Sequence, residues 1–458
     1  MQYYYQIIKG LASTAWLDQK RIYISACISY WIKLAGLIDR KAIIKELGSA
    51  SQPDELKVKR SDIVYRHMRD PALLRYYYSM KMMPVLDRLD LSGSSPTDIF
   101  IGRFGYPNVT IGPMVPPEFG DTSILAVPER WRAFSIEQIV SSRSKLVRGM
   151  HKSRVDAVEK GRIEEQIRDL ALADRPAEAE LTFSKKPFVK IALNDEVQPF
   201  GPSADIKAFD IYNIKANKQI EKLYMDVDAD AGTAIRESYE SDIPVSKIQQ
   251  ALSAGLFGLG RRRKFVPTRW SITAVDDTLS KGNLKEVKEF DEIDSIHMYY
   301  NISLDNRWLI VFVPGRWKYE SAEAWYPKTI WNEGGTSISI YSSYEGYTGR
   351  KTYAEIGGCY YAARLAVTEK LKQLQKQAVV IILREVHEGY LMPVGVWNVR
   401  EHVRETLEKE PIIAYSSDEM FSIIGERMDI PIKDWTANCR ALRELLYQRE
   451  LSSYVGRQ

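Results

Sequence analysis

A basic, aromatic and acidic segment in the middle of the chain carries residue types suited to binding or cleaving a phosphate-containing ligand. Residues 261–277 read RRRKFVPTRWSITAVDD, so cations come first, an indole follows and two carboxylates end the segment. The cations that could neutralise phosphate oxygens are Arg261, Arg262, Arg263, Lys264 and Arg269. Trp270 offers a flat face on which an unpaired base could stack. Asp276 and Asp277 offer the oxygen ligands that Mg²⁺ or Mn²⁺ prefers, so they are candidate metal ligands and catalytic groups.

A β-strand is the element that we expect to position these residues. Over 270–275 the residue types alternate, with Trp270, Ile272 and Ala274 on one face and Pro267 fixing the start. Both aspartates would then lie at the end of the strand, where sites are often built. The structural alternative is a solvated cationic run, a core tryptophan and a turn formed by the two aspartates.

Two further segments offer groups that could join this site. Residues 187–193 predict a strand that would deliver Asp195 and Glu196, a second pair of carboxylates for metal binding or acid–base catalysis. Residues 98–113 predict a β-hairpin whose turn contains glycine and asparagine. Arg103 lies in that hairpin and could contact a phosphate. The catalytic hypothesis requires that the two carboxylate pairs meet in space.

The amino-acid composition excludes several classes of protein. It has 458 residues, 64 basic and 60 acidic, with a net charge of +4, so any surface for nucleic acid must be a local patch. The three cysteines are far apart, which excludes a disulfide framework and a complete cysteine-based zinc site. The apolar run at 378–383 is too short to span a bilayer. We therefore expect a soluble cytoplasmic protein.

Patterning along the chain predicts an α+β fold of two domains, with mixed sheets flanked by helices. We expect a helical amino-terminal region over 1–55, domains over 56–290 and 291–435, and a helical tail over 436–458. In the second domain, a hairpin over 297–313, a helix from Cys359 to Gln377 and a strand over 379–384 are predicted.

Several longer motifs, in order, resemble one protein family. Besides 261–277 they are GRFGYPNVTIGPMVPPE, KIALNDEVQPFGPSA, SSYEGYTGRK, GGCYYAARLAV and VVIILREV. Over roughly residues 90–410 the chain resembles the archaeal Nre family of DNA repair proteins. The resemblance implies a role in repairing DNA damage. It also implies, for one branch of the family, a carboxy-terminal peptide that binds the sliding clamp PCNA.

The carboxy-terminal tail resembles such a clamp-binding peptide. In one turn of 3₁₀ helix Leu451 and Tyr454 would form an apolar plug, Val455 would extend it, and Gln448 would bond the rim of the clamp pocket. Val455 stands where a second aromatic residue is usual, which should weaken binding by about 1 kcal/mol. The alternative is that the tail continues a helix and packs on its own domain.

The amino-terminal region departs from the family. Many members resemble a small zinc module with four cysteines there, but this chain keeps only Cys27, with Tyr30, Ala35 and Lys41 at the other ligand positions. A structural zinc needs about four nitrogen or sulfur ligands, so we expect no structural zinc.

Three classes of function stay open at this point. The leading one is a DNA-binding repair protein recruited by PCNA, with a metal-dependent nuclease site at Asp276, Asp277 and either Asp195 or Glu196. The second is a non-catalytic adaptor that bridges the clamp and DNA or another protein. The third is a nucleotide-binding or nucleotide-processing enzyme that uses the loops around Gly105 and Gly346.

Overall fold

The fold is α+β, as the sequence predicts, and it contains two six-stranded mixed sheets. A computed structural model describes residues 88–158, 160–188, 198–329, 331–332, 335–390 and 392–447. In these ranges there are eleven α-helices and twelve strands. The predicted bounds of the two domains stay predictions, and the amino-terminal region 1–55 lies outside the described residues.

The first sheet lies within residues 90–212 and has the order β1-β5-β6-β4-β3-β2. Its strands are β1 (Asp90–Ser95), β2 (Ile99–Ile101), β3 (Asn108–Val115), β4 (Val147–Arg154), β5 (Ala177–Phe183) and β6 (Ser203–Tyr212). The pair β4 and β6 is parallel and the other pairs are antiparallel. The helices that accompany it are α1 (Ile136–Ser144), α2 (Arg162–Leu172), α3 (Lys218–Met225), α4 (Ala231–Glu240) and α5 (Val245–Ser253).

The second sheet lies within residues 296–414 and has the order β10-β9-β11-β8-β7-β12. Its strands are β7 (Ile296–Ser303), β8 (Asn306–Val313), β9 (Lys318–Trp325), β10 (Ser339–Glu345), β11 (Val379–Val386) and β12 (Ile412–Ala414). Only β9 and β11 run parallel within it. Its helices are α7 (Gly358–Leu374), α8 (Trp397–Leu407), α9 (Ser417–Arg427), α10 (Ile432–Asn438) and α11 (Arg440–Tyr447).

Apolar residues cover both faces of the second sheet. On one face Trp308, Ile310 and Phe312 pack with residues of α7 and α8. On the other face Leu309, Val311 and neighbouring residues pack with the carboxy-terminal helices. Alternate residues of β8 thus enter two separate cores, which explains why this strand is apolar from Trp308 to Val313. The predicted hairpin, helix and strand of this region are confirmed.

The predicted strand over 270–275 is wrong, because these residues belong to the long helix α6 (Thr268–Val287). The buried positions of α6 recur every three or four residues, which is the helical period. Polar residues occupy several of these positions, which hides the period from a reading of apolar residues alone. They are Ser271, Asp276, Ser280 and Asn283.

Candidate nucleic-acid interface

Helix α6 places the predicted site residues, so its exposed face defines the candidate site. The backbone N–H groups of Trp270 and Ser271 donate to the Pro267 carbonyl at 2.7 and 3.0 Å, which starts the helix. Trp270 and Ala274 are exposed and Asp277 is partly exposed. These positions are four and three residues apart, so they share one face of the helix.

This face lines a cleft with a volume of about 470 Å³. The cleft brings together four residues that the sequence singled out, namely Arg103, Arg269, Trp270 and Asp277. Thr273, Ala274, Tyr353 and Tyr361 complete the lining. The predicted association of cations with an indole is therefore present, although on a helix rather than on a strand.

Two pairs of aromatic rings stand at the cleft. Trp270 is 45% exposed, and the centroid of its ring lies 5.3 Å from that of the Tyr106 ring. The Tyr353 and Tyr361 centroids are 5.4 Å apart. The Thr273 and Tyr353 hydroxyls approach to 3.5 Å. The tyrosines were not predicted as site residues. A signal for Tyr106 was its place in the same glycine-rich turn as Arg103.

The β2–β3 hairpin carries Arg103 and Tyr106 to the cleft and is confirmed as predicted. The Asn108 N–H donates to the Gly105 carbonyl at 2.9 Å, and Gly105 has a φ of +83°, a conformation that glycine adopts without strain. The Ile101 N–H donates to Thr268 Oγ1 at 2.9 Å. Since Thr268 is the first residue of α6, this bond joins the hairpin to the helix that carries Trp270.

The structure contradicts a metal site built from Asp276 and Asp277. Adjacent residues on a helix point about 100° apart. Asp276 is fully buried and accepts bonds from Arg400 Nη1 at 3.0 Å and Gln249 Nε2 at 3.2 Å. Asp277 points to the cleft side, where it pairs with Arg364 and with Lys281 Nζ at 2.7 Å. The two carboxylates therefore cannot share an ion, and Asp276 cannot reach a substrate.

Burial also dominates the protonation of Asp276. It raises the pKa of this carboxyl to about 6, while the positive charge of Arg400 acts in the opposite direction. The shift comes from the interior of the protein and therefore does not identify a catalytic acid.

The cations of the basic run before α6 differ in their surroundings. Arg261 and Arg262 are exposed on a 3₁₀ turn, and Lys264 is exposed after it, but none of them lines the cleft. Arg263 is a correction to the predicted set. Its guanidinium donates to the carbonyls of Gly258, Tyr224 and Asp226 at 2.8, 2.6 and 2.9 Å. These bonds anchor the loop that contains Arg263, so its guanidinium does not face a ligand.

Several predicted residues lie outside the described ranges. They are Asp195 and Glu196 of the second carboxylate pair and Gln448, Leu451, Tyr454 and Val455 of the tail. Their assignments stay predictions.

One other group of metal-ligand types occurs among the described residues: Glu385, His387 and Asp429, whose ligand atoms lie within 4.8 Å of one another. Arg307 already supplies positive charge there, with Nη2 2.8 Å from Asp429 Oδ2. Glu385 accepts from the backbone N–H groups of Asp429 and Ile430 at 3.1 and 2.8 Å. The carboxylates therefore have internal partners, and we assign this group a structural role.

Within the described ranges, no helix is both long enough and apolar enough to cross a bilayer.

Comparison with known proteins identifies the family. The model of the Archaeal Nre N-terminal region matches residues 68–332, and that of the Archaeal Nre C-terminal region matches residues 345–454. No solved structure matches the chain.

Three relatives are similar over most of their length. The DNA repair protein NreB of Archaeoglobus fulgidus is 40% identical over 340 residues, covering 72% of this chain and 85% of the relative. The DNA repair protein NreA of Haloferax volcanii is 33% identical over 353 residues, covering 75% and 84%. The DNA repair protein NreA of Archaeoglobus fulgidus is 31% identical over 390 residues, covering 84% and 94%. The chain therefore belongs to the archaeal Nre family.

Proposed function

We propose that this protein acts in DNA repair by binding DNA that contains unpaired bases, and that the cleft beside α6 holds such a base. The names of its relatives support the repair role. The observation that carries the binding role is the exposed Trp270, which lies in a cleft with Arg103 and Arg269.

Stacking is the interaction that the cleft best provides. Every base has a π face, so an exposed indole binds bases of any sequence, with about 1–3 kcal/mol per stacked base. The ring of Trp270 is held by Tyr106 on the hairpin and is not folded into a core. A base paired within a duplex has both faces covered, so the cleft favours single strands, gaps and flaps.

Local charge supports the same ligand. Arg103 and Arg269 bring two guanidinium groups to the cleft wall. The one carboxylate in the lining, that of Asp277, is paired with Arg364. The chain as a whole has a net charge of only +4, so this is a local surface for a phosphodiester backbone and not a general attraction.

The geometry favours a binding function at this cleft over a nuclease function. Metal-dependent cleavage through Asp276 and Asp277 would need both carboxylates at one ion, and α6 separates them. A repair adaptor needs only the cleft and a second docking element.

The predicted clamp-binding tail would supply that element. We propose that Gln448, Leu451, Tyr454 and Val455 dock on PCNA. The tail follows α11, whose first N–H groups, from Arg440 and Ala441, donate to buried Glu320 at 2.9 and 2.6 Å. Removing residues 448–458 is expected to abolish binding to PCNA in a pull-down and leave DNA affinity unchanged.

The test of DNA binding compares Trp270→Ala with Trp331→Ala in anisotropy titrations of a labelled oligothymidylate. Trp331 is a matched control because it is 48% exposed and does not line the cleft. Loss of stacking should raise the Kd of the Trp270 variant about 5- to 150-fold, which corresponds to about 1–3 kcal/mol. The Trp331 variant should bind as the wild type does.

Three results would overturn the proposal: no binding by the wild type, equal losses in both variants, or tighter binding of a free nucleotide than of the oligonucleotide. The last result would favour a nucleotide-binding enzyme. Incubation with Mg²⁺, Mn²⁺ or a chelator in the same assay tests whether the DNA is cleaved.

A further inference from the structure

A second cavity, with a volume of about 180 Å³, opens on α6 beyond the cleft. Its charged lining residues are Lys281, Lys285, Lys288, Arg350, Arg364 and Glu345. No function assigned above uses this cavity. Five of these six side chains are cationic, which is the composition of an anion-binding site.

The second cavity continues the cleft along one face of α6. Trp270, Ala274 and Asp277 line the cleft, and Lys281, Lys285 and Lys288 line the cavity. Lys288 is the C-cap residue directly after α6 and keeps a helical backbone conformation. Successive members of this series are four, three, four, four and three residues apart, so all six share one helix face. Asp277 and Lys281 join the two parts, with Oδ2 and Nζ 2.7 Å apart. We name this face the α6 track.

The charges of the cavity are only partly neutralised within the protein. Arg350 pairs with Glu355, Arg364 pairs with Glu345 and Asp277, and Lys281 shares the Asp277 carboxylate. Five cations and three carboxylates leave an excess of two positive charges. Lys285 and Lys288 provide that excess. Lys288 Nζ donates to a neutral partner, the Tyr347 carbonyl, at 2.7 Å, and no described residue forms an ion pair with exposed Lys285.

The opposite wall of the cavity is a loop that allows a ligand to approach closely. Gly349 has a φ of +81°, and a Cβ built on it would meet nothing within 4 Å, so open space lies above this backbone. The loop is held in place because Arg350 Nη1 donates to the Tyr344 carbonyl at 2.7 Å. The open backbone at Gly349 and the excess of lysine charge together suit a phosphodiester.

We propose that the α6 track guides a single DNA strand, with a base stacked at Trp270 and phosphates about seven to eight nucleotides further along the strand at Lys285 and Lys288. This inference rests on the proposed function and adds the path and length of the ligand. From Trp270 to Lys288 the helix rises about 27 Å, at 1.5 Å per residue. At a rise of about 3.4 Å per nucleotide, the track holds about eight nucleotides when the strand stays stacked.

The experiment measures oligothymidylates of 4, 8 and 12 nucleotides on the full-length chain. For the wild type, Kd should fall between 4 and 8 nucleotides and change little at 12. In the variant Lys285→Gln/Lys288→Gln, binding of the 4-mer should be unchanged and the gain at 8 nucleotides should be lost. The slope of log affinity against log salt for the 8-mer should fall by about 1.4, which is 0.7 for each of two phosphates.

Two further variants keep the result interpretable. Lys218→Gln/Lys222→Gln removes two exposed lysines from α3, where they are four residues apart and line neither cavity. This control variant should bind every length of oligonucleotide as the wild type does. Lys285→Glu changes a side chain that forms no ion pair within the described part of the chain, and it should reduce 8-mer binding without affecting folding.

Each outcome separates the two ideas. Loss of binding in Trp270→Ala with no effect of the α6 lysines on the 8-mer would overturn the track and leave the proposed function standing. Equal losses for the α6 and α3 lysine variants would also overturn the track. A wild type that binds no oligonucleotide would overturn the proposed function itself.

Discussion

Asp276 and Asp277 are neighbours in sequence and differ completely in environment. Asp276 is buried and paired with Arg400, while Asp277 borders the cleft and is paired with Arg364 and Lys281. The sequence could predict that this segment combines cations, an indole and carboxylates. It could not predict which carboxylate would be accessible, because that depends on residues more than eighty positions later in the chain that supply the arginines.

The position of Asp277 leads to a prediction opposite to that of a metal site. Asp277→Asn removes a negative charge from the path proposed for the DNA, so affinity for an oligothymidylate should increase about threefold. This corresponds to about 0.6 kcal/mol for unit charges about 7 Å apart in water. Anisotropy titration at low salt measures it.

Asp156→Asn is the matched control, because Asp156 also pairs with an arginine, Arg154, but lines neither cavity. Weaker DNA binding by the Asp277 variant, or loss of a metal-dependent cleavage activity, would restore the metal-site hypothesis.

Helix α6 shows why a helix can be mistaken for a strand when only a short segment of it is considered. Within 270–275 an alternating pattern is visible, and only the longer range shows buried positions with a helical period. Those positions include Ser280 and Asn283, which are satisfied by Arg364 and Thr368 at 3.1 and 3.4 Å. Their partners lie on α7, so information needed to recognise the helix is distant in the sequence.

The hairpin was predictable because its signals are local, but its docking on α6 was not. The bond from Ile101 N–H to Thr268 Oγ1 suggests a test of that docking. Thr268→Val keeps the shape and removes the acceptor, so the free energy of unfolding should fall by about 1–3 kcal/mol. DNA binding should weaken as well, because Tyr106 and Arg103 lose their fixed position.

Chemical denaturation and DNA titration measure the two effects. Thr278→Val, a half-buried position on the same helix, is the control. If Thr268→Val lowers stability but leaves DNA affinity unchanged, the hairpin is not part of the binding surface.

Across the whole molecule, buried ions connect segments that are far apart in sequence. Arg400 on α8 contacts Asp276 at 3.0 Å, Glu401 at 3.2 Å and Glu129 at 3.8 Å. Arg132 contacts Glu401 at 3.3 Å and Glu408 at 2.7 Å. Removing one partner of such a buried pair commonly costs about 3–5 kcal/mol, because a charge is left without compensation.

His402, next to this network, gives the protein a defined sensitivity to acid. Burial lowers its pKa to about 4, and the Arg384 and Arg132 charges act in the same direction. The unfolded state therefore binds the proton more readily. The contribution of neutral His402 is fully present above about pH 6.5 and is lost as the pH falls to 4.

The full loss is about 3 kcal/mol, from a shift of about 2.5 pKa units at 1.36 kcal/mol each, and it is reached below pH 4. Denaturation at pH 7 and pH 4.5 should show a smaller loss in His402→Gln than in the wild type. His151→Gln, at a partly exposed histidine, should keep the wild-type difference. An unchanged difference in the His402 variant would show that this imidazole is not responsible.

Helix α6 also determines how the protein can be divided. Its Val275 and Leu279 belong to the core of the first sheet, whereas its Ile272, Leu284 and Val287 belong to a core of the second. A cut on either side of this helix would leave one half with an uncovered apolar groove and the other half with the exposed apolar residues of α6 that fill that groove. Neither half should therefore be soluble when expressed separately, and both sheets should unfold in one cooperative transition in denaturant.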